Sequence, residues 1–196
     1  MSSMTRAMEG TRDWLISQSG IKWGTGAALP LNKDNCFLAH MAIPQKVTGQ
    51  FAICIDDAGV ESGNMNNFYD REMYSINIGI WRRVGRVPKD RMAQQMIIDN
   101  EIYSSLAQTL ADNERELKMA LHCNTEVPVW LNSKYALPDE DEFLDRFIQY
   151  WVYRGRSGNE VHVIDDSGHR IFGRVMKFDG LTVIKESMQL YRKAAL

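Results

Sequence analysis

Hydrophobic and polar positions are most regularly ordered between residues 51 and 110. Residues 51–59, Phe-Ala-Ile-Cys-Ile-Asp-Asp-Ala-Gly, read as a buried strand running into a polar loop at 57–71. A long alternating strand follows over 72–83. Its Tyr74, Ile76, Ile78 and Ile80 share one face, Ser75, Asn77, Gly79 and Arg83 the other, and Met73 and Trp81 are apolar exceptions on the polar face. One face of this strand is therefore expected on a core. Pro88, whose missing N–H is harmless in a first helical turn, and Asp90, a negative charge beside the helix N-terminus, mark the start of a long helix. Met92, Met96, Ile102, Leu106 and Leu110 recur at helical spacing, with Ala93, Ile97 and Tyr103 widening the stripe, so this helix is expected to lie on the sheet.

Upstream, Met4, Ala7, Met8, Thr11, Trp14 and Leu15 define one face of a first amphipathic helix, with Ser2 or Ser3 as its cap and Gly20 as its stop. Residues 21–35 read as a loop, and Phe37 to Ala42 as a strand ended by Pro44. Downstream, four strands are expected over 146–154, 160–164, 170–178 and 181–191. Asp166-Ser167-Gly168 and Asp179-Gly180 supply tight-turn chemistry between them, which gives a meander. The segment 111–145, with a short helical stretch at Glu114–Leu121, the apolar run Val-Pro-Val-Trp-Leu and the acidic run 138–142, reads as an insertion on the sheet. The fold class is α+β: one domain over 1–196, a mostly antiparallel sheet flanked by two main helices, with a C-terminal β-meander and the inserted segment.

Composition narrows this picture. The chain has 196 residues, 44% of them hydrophobic, which supports one sizeable core. With 23 basic and 25 acidic side chains the formal charge is −2, so no global positive field marks a nucleic-acid binder. The three scattered cysteines, Cys36, Cys54 and Cys123, fit a reducing compartment. No apolar run approaches the roughly 20 residues that cross a bilayer, and the N-terminus lacks a signal-peptide core, so synthesis in the cytoplasm is expected, with no membrane partner.

Catalytic chemistry is sparse. His40, His122, His162 and His169 form no paired-ligand spacing, and Gly24-Thr25-Gly26 lacks the rest of a phosphate loop, so no cofactor or metal site is expected. Asp56 and Asp57, with Asp165 and Asp166, are strand-end carboxylates; as a metal-binding set they would make a hydrolase or nuclease, while their ordinary use is in turns. Arg82, Arg83 and Arg86, followed by Lys89 and Arg91, form one basic cluster, suited to phosphates or to an acidic patch such as 139–142 on a neighbouring copy.

Several pieces then come together: 53–59 ending in Asp-Asp-Ala-Gly, the strand Tyr-Ser-Ile-Asn-Ile-Gly-Ile-Trp-Arg-Arg at 74–83, the helix after Pro88, and Asp-Asp-Ser-Gly-His-Arg at 165–170 leading to a strand ending at Phe178. In order and pattern the chain resembles the tail terminator (tail completion, minor capsid or neck) family of long-tailed bacteriophages. The match spans about two thirds of its length. The resemblance implies a non-enzymatic structural subunit of a virion, found in its tail or neck. In this reading a ring of copies, commonly six, caps the tail tube, stops elongation and joins the tail to a head-side connector or neck protein, with genomic DNA passing through the ring. A ring needs a patch that meets a different patch on the next copy. The long segments 57–71, with Asn66 and Phe68, and 111–145, with Trp130, Tyr135, Asp139 and Glu140, are the expected contact regions, together with Arg82, Arg83 and Arg86. Deleting 125–140 is expected to block assembly and spare the fold. A different head–tail connector, a tube-like protein and the hydrolase are the alternatives.

Overall fold

A computed structural model describes residues 3–18, 31–44, 47, 50–63, 71–84, 95–123, 125–130, 144–157, 161–164 and 169–186. Two helices, α1 (Ser3–Ser17) and α2 (Gln95–Leu121), accompany seven described strands: β1 (Cys36–Leu38), β2 (Phe51–Gly63), β3 (Arg71–Val84), β4 (Val127–Trp130), β5 (Leu144–Arg156), β6 (Val161–Ile164) and β7 (Arg170–Glu186). All seven join one sheet in the order β1-β2-β3-β7-β5-β4, with β6 also against β7. Only β1–β2 is parallel among these pairs. The α+β, mostly antiparallel architecture expected from the sequence is present.

Alternation along β3 decides the two faces. Tyr74, Ile76, Ile78 and Ile80 are fully buried with Ile53 and Ile55 of β2 and Met176 and Phe178 of β7. Both helices cover this face: α1 contributes Met4, Ala7 and Leu15, and α2 contributes Leu110, Leu117 and Leu121. The opposite face carries a second, smaller core of Trp81, Ala52, Cys54, Ile171 and Val175 beneath Ala42 and Val47. Trp81, an exception to the alternation in sequence, is the centre of that second core.

Two tryptophans use cross-strand glycines as seats. Trp81 pairs with Gly173 on the second face, and Trp151 pairs with Gly180 on the helix face. A Cβ at Gly173 would collide with the Trp81 ring, and one at Gly180 would lie 2.6 Å from Ile148 Cγ2 and 2.9 Å from the Trp151 ring. Gly173→Ala is therefore expected to destabilise the protein by about 1–3 kcal/mol through overpacking. Chemical denaturation, with a drop in midpoint at unchanged slope, is the measurement.

Besides the polar loop expected over 57–71, whose residues 57–63 instead continue β2 and pair with β3 as far as Gly63 and Arg71, four expectations from the sequence are corrected. The strand predicted over Phe37–Ala42 stops at Leu38, and His40–Ala42 is a 3-10 turn in which Met41 (φ 59°) and Ala42 (φ 53°) are left-handed. Tertiary bonds hold it there: Trp81 Nε1 donates to the Ala42 carbonyl (2.8 Å), and Met41 N–H donates to the Asp56 carboxylate. Second, Asp179-Gly180 makes no turn. One uninterrupted β7 runs from Arg170 to Glu186 because β3 and β5 pair with it on both sides at this point. The meander is thus a long hairpin in which β5 and then β6 lie along the same edge of β7, bent by register shifts at Ile148/Trp151 and Tyr153/Gly155. Third, the stretch 114–121 is the end of α2 and no separate element. Fourth, β4 is an edge strand whose Val127 and Val129 are buried in the main core, so deleting 125–140 would remove part of the fold. Gly10 of α1 faces Val127 at a distance that leaves no room for a side chain. The expected helix start at Pro88, the caps at Ser2 and Gly20, and the turn at 166–168 lie outside the described residues.

Candidate functional site

The most elaborate polar group among the described residues lies between α2 and the sheet, on the helix face. Glu114 projects from α2, and its side chain is only 5% exposed. Lys118, one helical turn on, reaches Oε1 at 2.6 Å. From β5, Tyr153 donates its hydroxyl to Oε1 (3.2 Å), and Arg156 donates through Nε and Nη2 to Oε2 (3.1 and 2.9 Å). Arg174 of β7, itself 7% exposed, adds Nη1 to Oε2 at 3.3 Å and donates Nη2 to the Ala107 carbonyl. One carboxylate thus binds three elements.

Burial pushes the Glu114 carboxyl up, but hydrogen bonds from Lys118 and Arg156, reinforced by their charges, outweigh burial and hold it below the ordinary glutamate value. The same bonds raise Arg156. Every lone-pair direction of this carboxylate is occupied by a donor, so it is a clamp and not a poised acid or base. Lys118 Nζ also lies 3.6 Å from the Tyr153 ring centroid, which fixes the ring against the helix.

The arginines predicted as an interface divide. Arg82 faces the helices: its Nε and Nη2 donate to Asn113 Oδ1 of α2 (3.1 and 2.9 Å) and its guanidinium lies 4.6 Å from the Phe51 ring centroid. Burial lowers its pKa, as expected for a cation placed between a helix and a sheet. Arg83 points to the other face, where Nη2 lies 2.7 Å from His169 Nδ1. Both are half-buried. Trp130 is the last residue of β4, paired in register with Arg146. Asn66, Phe68, Arg86, Tyr135, Asp139 and Glu140 lie outside the described residues.

The strand-end carboxylates are used locally. Asp56 accepts the Met41 N–H, with His40 Nδ1 4.0 Å away, and Asp57 Oδ1 accepts the Gly59 N–H at 2.7 Å across a bulge where Gly59 takes φ 118°. Asp165 and Asp166 lie outside the described residues, but their neighbours Ile164 and Arg170 pair with each other at the start of β7. No group of three or more His, Cys, Asp or Glu suited to a metal occurs among the described residues.

A second buried carboxylate was not singled out from sequence. Asp179 accepts from Ser75 Oγ (2.6 Å) and Arg154 Nε (2.7 Å), tying β3, β5 and β7 on the face opposite the helices. Its place in an Asp-Gly dipeptide suggested a turn and concealed it. Cys36 and Cys54 lie on opposite faces of the sheet. Burial pushes the Cys36 thiol up to about 12 and raises Cys54 as well, so both stay protonated and unreactive.

Comparison with known families finds no family model that matches the chain. No curated protein matches it either.

Proposed function

We propose that this chain is a structural subunit of a bacteriophage tail, of the tail terminator type, which assembles into a ring at the end of the tail tube and offers its other side to a head-side connector or neck protein. One observation carries the reading. Of the separate segments on which the resemblance rests, 53–59, 74–83, 88–110 and 165–178, the described strand residues 53–59, 74–83 and 170–178 lie in the three adjacent strands β2, β3 and β7 at the centre of one sheet. Pieces that are far apart in sequence therefore make a single scaffold, with α2 packed on it.

The polar groups described above support the same role. Glu114, Asp179 and Asp56 each clamp elements of the fold, and a clamped scaffold presents fixed surfaces to its neighbours. Electron microscopy of the purified protein, alone and mixed with tail tubes, tests the reading. Rings seated on tube ends are the expected result. Tubes whose ends stay bare, with the protein dispersed as monomers, would remove it.

A further inference from the structure

We draw no further inference here: the strongest candidate, the exposed surface patch formed by Met119 near the end of α2, His122 and Cys123 just past it, and Tyr150 of β5, against whose ring His122 packs edge-on, carries nothing because nothing in the structure shows what covers it.

Discussion

Glu114→Gln is expected to destabilise the protein by about 2–4 kcal/mol, since removing one member of a buried ionic group leaves the others without a counter-charge. The side chain keeps its shape and an accepting oxygen, so the loss reports charge and not packing. Lys118, Arg156 and Arg174 would then sit together with no carboxylate among them, two of them on strands and one on the helix. Arg156 is half exposed and water screens its share, which keeps the expected loss below that of a fully enclosed triad. The local consequence is loosening of the C-terminal half of α2 from β5 and β7, seen as faster amide exchange over 107–121.

The same residue gives the expected pH dependence. Its folded pKa lies below the unfolded one, so its contribution is fully present above the unfolded value of about 4.3 and is lost as pH falls through the folded value. Urea midpoints measured from neutral to acid pH should fall steeply across this window in wild type. In Glu114→Gln the fall should be shallower. Parallel curves for the two proteins would show that the carboxylate is not charged in the folded state.

Trp81→Ala should cost more, about 3–5 kcal/mol, the usual loss for emptying the site of a buried aromatic side chain. Trp81 is fully buried, fills the second core over Gly79 and Gly173, and its N–H holds the Ala42 carbonyl. The 3-10 turn at His40–Ala42 depends on it, because two consecutive left-handed non-glycine residues cost on the order of 1–3 kcal/mol each without such support. Trp81→Phe separates the two roles: it keeps most of the apolar volume and removes the donor, for a loss of about 1–2 kcal/mol. Exchange of the Ile43 amide, which donates to the His40 carbonyl, should speed up in both variants. An unchanged rate in Trp81→Phe would mean that Asp56 alone holds the turn.

These residues also show what could be read before the structure. Alternation in β3 identified its core face correctly, since Tyr74, Ile76, Ile78 and Ile80 are all buried together. Helical spacing identified α1, whose Met4, Ala7, Thr11 and Leu15 are buried and whose Met8 and Trp14 pack beside them. Trp81 broke the alternation, and the pattern could not say that a second core lay behind it. Arg82, predicted at an interface, also donates to Asn113, a residue 31 positions away whose role no local pattern announces.

What the sequence determined by itself was therefore the local part: which stretches become strands and helices, and which side of each is apolar. These follow from periodicities of two and 3.6 residues, properties of neighbours along the chain. Tertiary structure alone decided the rest. It straightened Asp179-Gly180 into the middle of β7, because ladders on both sides outweigh the turn preference of two residues. It gathered Lys118, Tyr153, Arg156 and Arg174 around one carboxylate. Such groupings depend on which strands lie side by side, a choice made by the burial of the whole sheet and written in no single segment.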